Sequence, residues 1–417
     1  MVKTRNLSNG ICVVMEEMPA VQSIAVGFWV KTGAVDEVKE HAGISHFVEH
    51  MMFKGTDERT AREIASDMES LGAQMNAFTG KEATCYYFKC IADNYKKAAG
   101  IMIDMLEGSL FENAEMDRER LVICEEIKMG EDSPDEVAHD KMVEMIFDGV
   151  PLGNSIIGTP ESLDTIDHDV MKKYVGDQYT RNSIVISVAG KFDPDDLCDF
   201  FEKKLTSLKE EKPARPDVKA EYVPKTLSTK KDVQQSHVCL GTKGITLLDD
   251  RSYAVQLLNN ILGGGMSSRL FQNIREQKGL AYSVFSSTGM FSGDGYFEIY
   301  AGVSHDNVAA AILGIREELE KLDEKPVTED ELESARTQLI TAYVFSQENT
   351  SARMVLNGKN WLLLNKTFLP EEVIDGYNRV TIDDLESVKK LITDFSRYTV
   401  SVVSDKEIAL DPILERS

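Results

Sequence analysis

The sequence predicts an α+β protein made of two homologous domains, each a mixed, largely antiparallel sheet packed with helices. Three observations point there. Strand-like and helix-like apolar periods alternate in both halves of the 417-residue chain, the halves echo one another, and a polar, proline-bearing stretch separates them. At about 100–200 residues per domain, the length suits several domains with real cores rather than a disulfide-stapled miniprotein. The expected division is residues 1–210, a linker at 211–224, and residues 225–417. Between Leu208 and Pro224, Lys, Glu and three prolines (Pro213, Pro216, Pro224) replace the apolar pattern.

In chain order, Val2–Leu7 and Ile11–Met15 flank Ser8-Asn9-Gly10, a hairpin signal because Asn-Gly tolerates the positive backbone angles of a tight turn. Ser23–Lys31 reads as a buried strand. Apolar residues recurring every three or four positions then mark helices at Gly43–Phe53, Ala61–Leu71, Asn94–Leu106 and Asp117–Lys128, with a strand at Thr84–Ile91. The series Thr165-Ile166-Asp167, Met171-Lys172-Lys173 and the strand Ile184–Ala189 returns about 216 residues later as Thr381-Ile382-Asp383, Val388-Lys389-Lys390 and Tyr398–Val403. A second echo pairs the helix, glycine and strand of Ala65–Thr79 with Leu270–Ser286, Gly72 and Gly279 being about 207 apart. Two offsets that agree so closely, in the same order, indicate duplication.

Composition narrows the function. Lys plus Arg number 46 against 70 Asp plus Glu, a formal charge of −24, which disfavours phosphate-backbone binding, so no nucleic-acid partner is expected. No stretch approaches 18 uninterrupted apolar residues, and the run Ile11–Met15 is too short for a signal-peptide core, so no membrane association is expected. Cys12, Cys85, Cys90, Cys124, Cys198 and Cys239 are scattered among apolar residues without a CxxC pair and read as reduced, buried thiols. A cytoplasmic location is the expectation.

The most informative residues are Gly43-Ile44-Ser45-His46-Phe47-Val48-Glu49-His50-Met51. On a helix turning about 100° per residue, His46, Glu49 and His50 fall within one arc of roughly 100°, while Phe47, Val48 and Met51 face a core. Two imidazoles one turn apart can bind one divalent ion, and neutral imidazole is a good zinc ligand. HxxEH reverses the commoner HExxH yet presents the same groups on one surface. Alone, it also fits two surface histidines and a solvated glutamate. Downstream, Glu119 and Glu126 are seven residues apart and share a helix face, with Glu125 turned away. Glu119, in the first turn of a helix beginning near Asp117, also fits ordinary charge compensation of the helix dipole.

With these residues in view, HFVEHMMFKGT at 46–56, followed by Glu126 within ERLVICEEI, resembles the inverted zinc-peptidase family that contains pitrilysin, insulin-degrading enzyme and the catalytic subunit of the mitochondrial processing peptidase. The resemblance implies His46, His50 and Glu126 as ligands of one Zn²⁺ per chain, Glu49 as general base, and Glu119 as an acid that supports the ligand sphere and affects catalysis. It extends along the chain. Asn76-Ala77, with Phe78, resembles the edge strand that holds substrate backbone, and Arg275 and Tyr282, seven apart, resemble the family's pair that reaches the substrate and its transition state. A phenol such as Tyr282 can donate to an oxyanion at neutral pH.

The activity implied is a zinc-dependent endopeptidase hydrolysing unfolded peptides, held as an added strand inside a closed chamber whose shell is a clamshell. The two domains would form one half, so the expected partner is a second copy in a homodimer. The rival readings are the catalytic subunit of a heterodimer with a noncatalytic homologue, and a noncatalytic peptide-binding scaffold.

Other features point to structure. Gly263-Gly264-Gly265 lacks the Lys-Ser/Thr of a phosphate loop and reads as the stop of the helix Tyr253–Leu262. His41 belongs to the entry loop of the motif helix, and His139, His168, His237 and His305 have no partner at ligand spacing. The charge of −24 reads as solvated helix faces, a chamber biased toward cationic peptides being the functional alternative.

Overall fold

Two sheets, each with its own helices and its own core, account for nearly all of the regular structure. The computed structural model describes residues 2–206, 208 and 221–415. The expected linker at 211–224 lies outside the described residues except for 221–224. One unit comprises Met1–Ile127, Asn154–Asp217 and Val344–Leu369; the other comprises Lys128–Gly153, Val218–Tyr343 and Pro370–Ser417.

The first unit contains β1 (Val2–Asn6), β2 (Cys12–Glu17), β3 (Ser23–Val30), α1 (Ile44–Met51), α2 (Ala61–Ser70), β4 (Gln74–Thr79), β5 (Thr84–Ile91) and α3 (Tyr95–Gly108). Most of α4 (Asn113–Glu131) follows, then α6 (Pro160–Asp164), α7 (His168–Gln178), β6 (Ile184–Gly190) and α8 (Pro194–Lys204). Its strand order is β1-β2-β6-β3-β5-β4. Every pairing is antiparallel except β2 with β6, so the sheet is mixed as the sequence suggests. The β1–β2 hairpin closes at Asn9-Gly10, Gly10 having φ of +92°.

The second unit contains α5 (Pro134–Ile146), β7 (Thr226–Lys230), β8 (Ser236–Lys243), α9 (Ser252–Gly263), β9 (Ala281–Met290), β10 (Gly295–Val303) and α10 (Val308–Glu324). Most of α11 (Glu329–Ser346), α13 (Pro370–Arg379), α14 (Ile382–Thr393), β11 (Thr399–Ser404) and α15 (Asp411–Leu414) complete it. The order β7-β11-β8-β10-β9 repeats the first sheet from β2 onward, and β7 with β11 is again the parallel pair. Duplication is visible in side chains too. Arg120 on α4 donates to the carbonyls of Leu163 (3.1 Å) and Ile166 (2.8 Å). Arg336 on α11 donates to those of Tyr377 (3.2 Å) and Val380 (2.8 Å).

Each unit borrows a helix from the other half of the sequence. Helix α12 (Thr350–Leu364) covers β6, β3 and β2, opposite the face that carries the main core. Buried Arg353 pairs with both oxygens of Glu16 (2.6 and 2.5 Å), and Asn357 joins them (2.8 Å). In the second unit, α5 covers β8 and β11, where His139 meets Glu298 at 2.9 Å. One expectation needs correction. Helix α4 begins at Asn113, not near Asp117, because buried Met116 extends the apolar face backwards, so Glu119 is not a first-turn residue. The helix expected from Leu270 onward is present, wound as a π-helical stretch over Phe271–Gln277.

All six cysteines are free and only Cys124 is not buried. Gly264 caps α9. No helix among the described residues is long and apolar enough to cross a membrane.

Candidate metal centre

Helix α1 follows β3 after a connection, residues 31–43, that carries two 3-10 turns (Ala34–Asp36 and Lys39–His41), and it lies against β4, its apolar side (Ile44, Phe47, Val48, Met51) sealed in the first core. That packing turns His46, Glu49 and His50 the other way, where α4 presents Glu119 and Glu126. His46 Nε2 and His50 Nε2 stand 3.2 Å apart, and Glu126 Oε2 lies 3.8 Å from the former and 3.6 Å from the latter. Among the described residues this is the one group of at least three His, Cys, Asp or Glu side chains whose ligand atoms all lie within 4.8 Å of one another.

Those separations fit a metal. A tetrahedral zinc with bonds of about 2.0–2.2 Å spaces its donors roughly 3.3–3.6 Å apart. Protonation fits as well. Burial, and then neighbouring His50, push the His46 imidazole down to about 4, which leaves it neutral at physiological pH. His50 presents Nδ1 to Glu119 Oε1 at 3.0 Å, directing the lone pair of Nε2 toward the cluster. His46 Nδ1 is buried without a hydrogen-bond partner.

Glu119 does not enter the cluster but braces it. Burial alone would raise its pKa, yet hydrogen bonds from Lys54 (2.5 Å) and His50, with their charges, hold it below the usual carboxylate range. It is therefore an ionised acceptor for His50. Glu49 has the opposite balance. Burial raises its pKa, while the Thr79 hydroxyl at 2.5 Å and the proximity of His50 work against the rise and Glu126 adds to it. A carboxylate so placed beside the convergence of three donors can accept a proton from water.

Asn76, Ala77 and Phe78 lie on β4, the edge strand of the first sheet, with no strand paired to its outer side among the described residues. Ala77 N–H donates to the Asn76 side-chain oxygen at 2.8 Å. Phe78 shares the face of Asn76, opposite Ala77 and Thr79, and packs against Trp29 and Tyr87. Arg275 and Tyr282 belong to the second unit. The Arg275 guanidinium sits 5.3 Å from the Tyr282 ring centre, and Tyr282 is 77 % exposed. Of the other histidines, His41 meets Thr165, His237 meets Tyr300 and His305 meets Ser236.

Sequence reasoning missed Lys54 and Thr79. Lys54 stands inside the quoted 46–56 motif, and Thr79 lies two positions beyond Ala77 on the inward phase of β4, so alternation could have flagged it.

The His46, His50 and Glu126 cluster, with the Glu49 carboxylate beside it, thus stands on the first unit of a two-sheet scaffold. Residues 12–160 match the model described as insulinase (peptidase family M16), and residues 165–339 match that described as peptidase M16 inactive domain. The chain is 39 % identical over 405 residues to the uncharacterized zinc protease YmxG of Bacillus subtilis, covering 97 % of this chain and 98 % of that protein. A protease from Helicobacter pylori superposes with a TM-score of 0.91 at 23 % identity, covering 97 % of this chain and 99 % of the other. A peptidase M16 inactive domain from Pseudomonas fluorescens gives the same score at 17 % identity, covering 97 % and 98 %. The chain belongs to peptidase family M16. The structural likenesses speak for the fold alone; the choice between active and inactive members rests on the residues of the cluster.

Proposed function

We propose that the protein is a zinc-dependent endopeptidase acting on unfolded peptides. The observation that carries the reading is the convergence of His46, His50 and Glu126 with Glu49 beside them. His46 and His50 through Nε2, and Glu126 through Oε2, would hold the ion. Zinc bound there supplies Lewis acidity to water and to a peptide carbonyl. Glu49 takes a proton from the attacking water and returns it to the leaving amine, and its raised pKa suits both transfers. Glu119 keeps His50 in the ligating tautomer.

The open edge of β4 supports binding of an extended peptide as an added strand, with affinity from backbone hydrogen bonds and little demand on sequence. Unfolded chains satisfy that requirement and folded ones do not. Arg275 and Tyr282 are assigned, on the family resemblance, to binding substrate and to donating to the oxyanion. A homodimer and a cytoplasmic setting complete the reading. The intact ligand set weighs against a noncatalytic scaffold.

The test is metal analysis coupled to cleavage of an unstructured peptide, with chelator treatment and zinc add-back. Bound zinc and hydrolysis that is lost and restored with it are expected; a metal-free, inactive chain overturns the reading.

A further inference from the structure

Helix α1 begins without a capping side chain of its own. Its N-cap is Gly43, in the left-handed region at φ of +91°, and it offers nothing to the unsatisfied N–H groups of the first turn. A carboxylate from six residues upstream takes over. Glu37, 5 % exposed, accepts from Gly43 N–H at 2.7 Å through Oε2 and from Ser45 N–H at 2.9 Å through Oε1. Neither bond reaches a residue of the metal cluster, but Ser45 is the neighbour of His46.

The same turn is gripped from two further sides. The Ser45 hydroxyl meets the Tyr174 hydroxyl at 2.7 Å, and Tyr174 in turn meets Thr32 at 2.9 Å. Gly43 and Gly158 (φ of +74°) are pressed backbone to backbone; a Cβ on Gly158 would sit 2.3 Å from Ala42 O, and one on Gly43 would sit 2.7 Å from Ile157 O. Ser162 Oγ donates to Ala42 O at 2.6 Å. An eight-residue helix depends on such contacts for its placement, and its first turn sets both the rotation and the height of the two imidazoles that follow.

We propose that Glu37 is a positioning residue for the metal helix: its carboxylate, bridging the N–H groups of Gly43 and Ser45, holds α1 at the rotation that brings His46 and His50 to the same point as Glu126. The inference rests on the zinc-peptidase reading and adds a residue that touches neither metal ligand nor substrate. In Glu37→Gln the shape is kept, but one acceptor becomes an N–H₂ facing an N–H, so the bridge is broken without emptying the site.

The experiment measures zinc affinity by chelator competition, the visible spectrum of the cobalt-substituted protein, and thermal unfolding of the metal-free protein. Wild type is compared with Glu37→Gln, with Tyr174→Phe, and with Leu197→Ala, a core truncation in α8 of the same unit. Glu37→Gln is expected to weaken zinc by about 10-fold or more and to shift the cobalt bands. Tyr174→Phe should move both in the same direction by less, and Leu197→Ala should lower the melting temperature with zinc affinity unchanged. A folded Glu37→Gln that binds zinc like wild type overturns the inference, as does unaltered affinity in Tyr174→Phe should the first variant not fold. Equal zinc loss in Leu197→Ala also overturns it, by reducing the effect to general destabilisation. A wild-type protein that binds no zinc overturns the peptidase reading itself, which separates the two failures.

Discussion

The two units repeat one scaffold, yet among the described residues only the first carries the cluster. In α1 the positions facing away from the core hold His46, Glu49 and His50; α9, which follows the corresponding strand β8, has no histidine, carboxylate or cysteine between Ser252 and Gly263. Helices α4 and α11 make the contrast residue by residue. The structural arginine is kept, Arg120 and Arg336 each tying two carbonyls, and 216 residues separate the two. At that spacing, Glu119 corresponds to buried Ala335 and Glu126 to Ala342. Duplication preserved what folds each unit, while the donor set is confined to one.

The contrast can be broken most forcefully at Glu49. Glu49→Gln is expected to cost about 10²–10⁴-fold or more in kcat with zinc content unchanged, measured by peptide hydrolysis alongside metal analysis. Full activity in the zinc-loaded variant would remove Glu49 from the chemistry.

The arginine pair comes next. Arg336→Ala should lower unfolding free energy by roughly 1–3 kcal/mol, since two carbonyls lose a charged donor, and should leave the zinc stoichiometry untouched. Arg120→Ala should cost a similar amount in denaturant titration. A cost confined to one of them would show that the repeat is not mechanically equivalent.

A smaller effect is expected at Thr79. Its hydroxyl opposes the burial that raises the Glu49 pKa, so Thr79→Val should raise it further. Because the base must be ionised, the acid limb of the pH–rate profile should move to higher pH, with the alkaline limb unmoved. An acid limb moving to lower pH would contradict the assignment. At the bottom of the scale, Gln338→Ala on the exposed face of α11 should leave zinc content unchanged and stability within about 0.5 kcal/mol.

What could be read in the chain beforehand follows from how local each signal is. The HxxEH helix was legible because three side chains on one arc are fixed by helix geometry alone, and the Asn9-Gly10 turn because its backbone angles favour those residues. Repeats such as Thr165 and Thr381 disclosed the duplication. The borrowed helices were not legible: the spacing of apolar residues in α5 and α12 says that a face is buried, not against which sheet. The parallel pairing of β2 with β6 is likewise a long-range choice. Glu37 escaped notice because a carboxylate in a loop reads as solvated until its N–H partners, six and eight residues on, are seen around it. The start of α4 was misplaced since Asn113 to Met116 carry only one buried apolar residue.

The most direct test of the account is the zinc stoichiometry of the purified protein beside that of His50→Ala, both measured by elemental analysis after dialysis against trace zinc. One zinc per chain in the wild type and well under one in His50→Ala is predicted. A wild type without zinc, or a His50→Ala variant that retains a full equivalent, would contradict it.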